Sequence, residues 1–242
     1  MLSQTEQKKR VAITAVDMLV ERGLFFSGMK VGLGTGSTAL PVVERLADYI
    51  HDGTLTDVKA VVTSFQTADA CDELGIAVYS MNDRTIAGTL DIAIDGADEI
   101  DRECNLIKGG GAALLREKIV AYNACQFIIV ADESKAVATI GTGFPVPVEI
   151  IVEARVPVVR ALSSLGALCV LRAGIKKCGP VITDNGNQIL DCTWESPIDP
   201  EKMERDITAI AGVVEVGLFT RCKPRVFIAH ADGSVEERQP RA

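Results

Sequence analysis

The chain has 242 residues, 48% hydrophobic and 24% charged, with a net charge of −8. That is ordinary globular composition, enough for one large domain or a domain with a smaller attachment. The longest basic run is Lys8–Arg10, so a nucleic-acid surface is not expected, and no apolar run reaches membrane-spanning length.

Thr5 to Arg22 reads as a helix. Val11, Ala12, Ala15, Val16, Met18, Leu19 and Val20 recur near helical spacing, and Gly23 can close it. It covers one face of a sheet, and Lys8 or Lys9 at its start could also reach a ligand. Met29 to Leu33 is a strand that runs into Gly32–Ala39 (GLGTGSTA), followed by a helix through Tyr49. A strand, a glycine-rich turn and a helix together point backbone N–H groups at an anion. Gly36 lets the backbone approach, and Thr35, Ser37 and Thr38 add hydroxyl donors. Ser37 stands where a dinucleotide fingerprint needs its third glycine, and the next strand, Val58 to Val62, ends in Thr63-Ser64-Phe65 without an acid for a ribose. A phosphate monoester fits better than NAD. Gln66 to Leu74 is a helix, Ile76 to Tyr79 a strand and Asp91 to Asp95 another. This alternation predicts a largely parallel sheet with helices on both faces and a ligand at the carboxyl ends of its strands.

Asp95-Gly96-Ala97-Asp98-Glu99-Ile100-Asp101 crowds four carboxylates into one turn. A solvated acidic turn or a divalent-metal site are the plain alternatives. Against them, Asp95 ends an apolar strand and Lys108 would compete with a metal. Like charges at this spacing would also push some carboxyl pKa values upward. Glu103 to Ile107 has the pattern of a short strand. Lys108-Gly109-Gly110-Gly111 then precedes a helix over Ala112 to Ala124. Three glycines there cost conformational entropy; what they offer is N–H donors for an oxyanion. Glu117 falls in the second turn. Its neighbours Ala113, Leu114, Val120 and Ala121 are small or apolar, so no helix salt bridge accounts for it. Partial desolvation suits it to act as a general base. Cys125 to Val130 is a strand ending at Ala131-Asp132-Glu133-Ser134-Lys135. There Lys135 is either a cation for a phosphate or a solvated loop lysine.

After Gly141 the texture changes. Phe144 to Glu149 enters a strand bounded by prolines, a helix spans Ala154 to Ser164, and a strand spans Ala167 to Arg172. Asn185-Gly186 marks a hairpin between Val181–Thr183 and Gln188–Cys192. A helix from Pro200 to Ala211 and a strand from Val213 to Phe219 complete a β-α-β-β-α-β series, the ferredoxin-like order. With few clustered polar residues, this unit is expected to be a lid or assembly domain. Arg225 to His230 returns to the main sheet, and the polar tail after it is expected to fray. The expected division is therefore 1–141 plus 218–242 as a Rossmann-like domain and 142–217 as the lid. The seven cysteines include no CxxC, which suits reduced thiols in the cytoplasm. The two histidines, His51 and His230, lack a partner at ligand spacing.

The chain resembles the type A ribose-5-phosphate isomerases over almost its whole length. The likeness rests on GLGTGSTA at 32–39, DGADEI at 95–100, KGGGAALLREK at 108–118, ADESK at 131–135 and PVPVE at 145–149, with TDNGNQILD at 183–191 and GVVEVGLF at 212–219 adding to it. One departure is Leu115, where relatives often carry threonine. The resemblance implies interconversion of D-ribose 5-phosphate and D-ribulose 5-phosphate through an enediolate, with no metal and no cofactor. It implies Glu117 as the base between C1 and C2, and Asp95 as the acid/base for the sugar oxygens and ring opening. Asp98 and Lys108 are the implied pair around the oxyanion, with N–H groups from Gly109, Gly110 and Gly111. Thr35, Gly36, Ser37, Thr38 and Lys135 are the implied phosphate and hydroxyl binders, with Gly96 and Ala97 lining the site. It further implies a Rossmann-like main domain, a ferredoxin-like lid and a homodimer or homotetramer. Two rivals remain: a non-catalytic sugar-phosphate sensor, and a CoA transferase using a glutamate nucleophile.

Overall fold

A computed structural model describes residues 1–176 and 178–239. The chain divides into two units, Met1–Gly96 with Arg116–Ala136 and Pro224–Ala242, and Ala97–Leu115 with Val137–Lys223. The segment 97–115, which the sequence reading counts with the first domain, thus groups with the second.

The first unit begins with α1 (Gln4–Glu21), opened by a capping box. Ser3 Oγ accepts the Glu6 N–H, and Glu6 Oε2 accepts the Ser3 N–H at 2.7 Å. Then come β1 (Lys30–Leu33), α2 (Leu40–His51), β2 (Lys59–Val62), α3 (Phe65–Glu73) and β3 (Leu90–Asp95). After an excursion into the second unit the chain returns through α4 (Leu114–Tyr122) into β6 (Ala124–Asp132), and at its end through β12 (Arg225–Ala229) and β13 (Val235–Arg238). The sheet order is β13-β12-β6-β3-β1-β2, parallel throughout except β13. Val11, Leu19, Val43 and Leu46 of α1 and α2 bury Leu33, Ile94, Ile128 and Val130. On the opposite face α4 presses so close that a Cβ on Gly32 would overlap Val120. Burial on both faces is why β3 and β6 read as continuous apolar runs.

Two expectations fail here. Ile76–Tyr79 makes only one bridge, Ala60 to Val78, so no strand forms beyond β2. The tail does not fray as expected: as far as Gln239 it is described, and β13 pairs along β12. Arg22 forks onto both oxygens of Glu237 at 2.9 and 2.8 Å, a tie no local pattern reveals.

In the second unit, β7 (Val146–Ile150), α5 (Arg155–Ser164), β8 (Leu168–Leu171), β9 (Gln188–Thr193), α6 (Pro200–Thr208) and β10 (Val213–Val216) form an antiparallel sheet of order β10-β7-β9-β8. That is the ferredoxin-like arrangement. Val158, Leu162 and Ile207 cover Val146, Val148, Ile150 and Leu190. A second sheet joins β4 (Glu99–Ile100), β5 (Leu106–Ile107) and β11 (Leu218–Phe219) in the order β11-β5-β4. The expected strand Val213–Phe219 is therefore split between two sheets. Gly217 makes the break: its N–H donates to Pro147 O at 2.7 Å, it accepts the Lys108 N–H at 2.9 Å, and a Cβ there would overlap the Lys108 carbonyl. Val181–Thr183 contributes only the bridge Ile182 to Gln188, and Glu103–Ile107 shrinks to β5.

Candidate active site

The first unit supplies a glycine-rich loop and two carboxylates. β1 and β3 are neighbours, and both end at one edge of the sheet. Gly34 N donates to Ile94 O at 2.9 Å, and the Thr35 and Gly96 N–H groups reach Asp95 Oδ1 at 3.2 and 2.7 Å. Asp95 is 4% exposed. A Cβ on Gly34 would overlap its carboxylate, so this glycine exists to let Asp95 in. Thr38 lies against Gly96. Among the described residues, the N–H groups of Gly36, Ser37 and Thr38 meet no acceptor, so they stand available to an anion.

The Thr35 hydroxyl is not available in the same way. It bonds Thr63 Oγ1 at 2.6 Å and Ser64 Oγ at 2.8 Å, while Thr67 Oγ1 donates to Gly34 O at 2.8 Å. This buried hydroxyl cluster holds the loop from behind. Its members sit about thirty residues downstream, too far for local spacing to reveal.

Helix α1 completes this end. Lys8 Nζ donates to Ser37 Oγ at 3.1 Å. One turn earlier Gln4 Nε2 reaches Ser134 Oγ at 3.2 Å and Asp132 Oδ1 at 3.3 Å; Gln7 Oε1 accepts the Glu133 N–H at 3.3 Å. Lys135 ends the 3-10 turn that follows β6. Its ammonium has no partner among the described residues. The first two turns of α1 thus tie the Ser37 loop to the Lys135 loop, and Lys8 is the contact the sequence only half anticipates.

Glu117 lies in the first turn of α4, not the second, because Ala112 takes a left-handed φ of +59° and the helix starts at Leu114. It is 6% exposed. Val120 packs on Gly32, and a helix linking parallel strands runs opposite to them. Glu117, three residues earlier, is therefore about 4.5 Å nearer the strands' carboxyl ends, level with Gly34 and Asp95. Its neighbour Arg116 stacks over the Phe65 ring at 5.0 Å.

The second unit holds the remaining residues. Asp98 and Lys108 flank the β4–β5 ladder, in which Glu99 pairs with Ile107. Asp98 N donates to Ile107 O at 2.8 Å. Lys108 is 2% exposed, its ammonium 5.7 Å from the Phe219 ring centre. Asp98 Oδ2 accepts the Gly110 N–H at 2.7 Å. Gly109 takes a φ of +106°, which favours glycine there. Ala97, half-buried, is the residue at which the chain enters this unit.

The four carboxylates therefore do not act as one acidic patch. Glu99 is spent on the Gly141 and Gly143 N–H groups at 2.6 and 2.9 Å, and Asp101 on Glu103 N, Asn105 N and Asn105 Nδ2. Each folds a loop. Among the described residues no group of three or more His, Cys, Asp or Glu converges as a metal site.

The family described as ribose 5-phosphate isomerase A (phosphoriboisomerase A) matches residues 59–233. A ribose-5-phosphate isomerase A of Treponema denticola is 52% identical over 98% of this chain and 100% of its own length. That of Treponema pallidum is 52% identical over 98% and 94%. Among solved structures, a D-ribose-5-phosphate isomerase in complex with phospho-erythronic acid superposes with a TM-score of 0.90 at 37% identity, covering 98% of this chain and 100% of that one. The ribose 5-phosphate isomerase A of Methanocaldococcus jannaschii gives 0.87 at 39% identity with the same coverage.

Proposed function

This chain belongs to the ribose 5-phosphate isomerase A family, and from that footing we propose the role of each residue in its reaction. The reaction interconverts D-ribose 5-phosphate and D-ribulose 5-phosphate, an aldose–ketose isomerisation of the pentose phosphate pathway. Glu117 carries one proton between C1 and C2. Asp95 exchanges protons with the sugar oxygens and opens the ring. Asp98, Lys108 and the N–H groups of Gly109 and Gly111 face the oxyanion of the enediolate. Gly36, Ser37 and Thr38 take the phosphate with Lys135 and Lys8, while Thr35 holds the loop and Gly96 and Ala97 line the sugar.

One observation supports this most: Glu117 is buried in the first turn of a helix at the level of Asp95. A base shared by two adjacent carbons must be held within reach of both, with charge stabilisation for the oxygen. Aldose and ketose are isomers, so no electron acceptor is consumed, and these groups suffice without a metal or cofactor. Neither rival is favoured, since the relatives are named isomerases.

The ferredoxin-like unit is read as a lid or assembly domain, and the assembly as a homodimer or homotetramer. Leu168 and Val170, 65% and 66% exposed on edge strand β8, support a covered face there. No helix among the described residues is long and apolar enough to cross a membrane, and the cysteine pattern supports a cytoplasmic setting. The test is ketose formation from ribose 5-phosphate by the purified chain in excess chelator. Full activity is expected; a lasting loss would restore the metal reading of the acidic turn, and turnover of an acyl-CoA instead would restore the transferase.

A further inference from the structure

Arg172 has no part in any sequence motif noted above, yet its guanidinium joins a carboxylate to the glycine loop. Nε donates to Asp191 Oδ2 at 2.9 Å, and Nη2 donates to Asp191 Oδ1. Nη1 donates to the carbonyl oxygens of Gly109 at 2.7 Å and Gly110 at 3.1 Å. Arg172 directly follows β8 and Asp191 lies in β9, its neighbour in the sheet. The side chains are only 15% and 22% exposed. A forked, bidentate pair that still has an N–H left over is a geometry arginine can supply and lysine cannot.

The two carbonyls decide where the loop's amides point. A trans peptide directs its C=O and its N–H to opposite sides, and no peptide bond among the described residues is cis. With the Gly109 carbonyl on Arg172, the N–H of the same peptide, that of Gly110, must face away; it meets Asp98 Oδ2 at 2.7 Å. With the Gly110 carbonyl on Arg172, the Gly111 N–H must also face away from the guanidinium. Among the described residues it meets no acceptor. Three glycines in a row carry no side chain to hold these planes; the backbone braces only the first, through the Ala112 N–H on the Gly109 carbonyl at 3.0 Å, and the Gly110 carbonyl has Arg172. A single peptide flip would replace a donor by a carbonyl lone pair and turn stabilisation of an anion into repulsion.

We propose that Arg172, braced by Asp191, is a positioning residue for the isomerisation: it fixes the Gly110–Gly111 peptide so that the Gly111 N–H, not a carbonyl, is presented to the enediolate oxygen, and the Gly109–Gly110 peptide so that its N–H stays on Asp98. The inference rests on the reading of Lys108–Gly111 as the oxyanion site. Because the oxyanion exists only beyond the ground state, loss of this brace lowers kcat and leaves KM nearly alone.

The experiment measures kcat and KM for ribose 5-phosphate, thermal stability and the inhibition constant of phospho-erythronic acid for the full chain and its variants. Arg172→Leu is expected to lower kcat about 10- to 100-fold, the scale of a misplaced oxyanion donor, with KM within about threefold. Inhibition by phospho-erythronic acid, whose carboxylate is planar and anionic, is expected to weaken with kcat rather than with KM. Arg172→Lys should fall between, Asp191→Asn should lose less, and the double variant Arg172→Leu/Asp191→Asn should be no worse than Arg172→Leu alone. An Arg172→Leu enzyme with normal kcat, even at lowered melting temperature, overturns the inference, as does a loss confined to KM. If Arg172→Leu does not fold, Arg172→Lys and Asp191→Asn are judged by the same kcat criterion. A wild-type chain that leaves ribose 5-phosphate unchanged removes the parent reading and this inference with it; an active wild type beside an unimpaired Arg172→Leu removes the inference alone.

Discussion

Two glycine-rich loops serve this chain; each spends one N–H on an aspartate, but the rest of their support differs. At 34–38 the peptide N–H groups of Gly36, Ser37 and Thr38 are left unmet at the entrance to α2, the Thr35 N–H is spent on Asp95, and the rest of the support comes from hydroxyls behind: Thr35, Thr63, Ser64 and Thr67. At 109–111 the carbonyls are gripped by a guanidinium and one N–H is spent on Asp98. The first loop has a helix start to orient it. The second consists of glycines alone and takes its orientation from the side chains of Arg172 and Asp98 and from one turn bond, Ala112 N–H to the Gly109 carbonyl. Similar composition therefore does not mean similar construction: where a loop lacks side chains, its order must be imported.

That contrast can be broken by substitution. The largest effect belongs to the proposed base. Glu117→Gln should fold and bind substrate but lose about 10²–10⁴-fold or more in kcat, the scale of general-base loss; a near-normal rate would take Glu117 out of the mechanism. Next come two glycines, one in each loop, that abut a carboxylate. A Cβ on Gly34 collides with Asp95, which is buried and cannot yield, so Gly34→Ala should cost about 100-fold in kcat. A Cβ on Gly110 would meet Asp98 Oδ1 at 2.6 Å, but Asp98 is half exposed and can turn, so about 10-fold is expected. Steady-state kinetics on the pair would reverse this ranking if the second loop were the stiffer.

Lys135→Ala tests the first loop's ligand. A rise in KM of about tenfold with kcat within about threefold is expected for a lost ground-state contact; unchanged KM would make it a surface lysine. The smallest effect lies away from both loops. The Glu237 carboxyl is held below its ordinary pKa by the hydrogen bonds from Arg22. A depressed carboxyl contributes stability above its unfolded pKa and loses it as pH falls through the folded value. Glu237→Gln should thus cost about 0.2–1 kcal/mol at neutral pH, measured by denaturant unfolding, and the gap from wild type should close below about pH 4. A gap that persists in acid would mean packing, not charge, holds β13.

Much of this was legible without coordinates, for identifiable reasons. Helical periodicity set α1, α2 and α5 to within a few residues, and the β-α-β-β-α-β order was enough for the ferredoxin-like unit. Asp95 at a strand end and Glu117 behind a glycine run were visible because their neighbours left them no local explanation. The contact of Lys8 with Ser37 was not visible, since twenty-nine positions separate the two. Nor was the split of Val213–Phe219, which depends on what presses on Gly217.

Residue order by itself determined the elements, the alternation that makes the main sheet parallel, and which side chains had no business in a core. Those properties depend on neighbours within a turn or a strand, which is the range over which backbone sterics and hydrophobic period act. Only the tertiary structure decided that Glu99 and Asp101 are spent on loops at 141–143 and 103–105 while Asp95 and Asp98 hold the two glycine-rich loops, that a tail becomes an edge strand, and that Arg172 grips the glycine peptides. Each of those outcomes is a hydrogen bond between groups far apart in the chain, and its geometry does not exist until the sheets have formed.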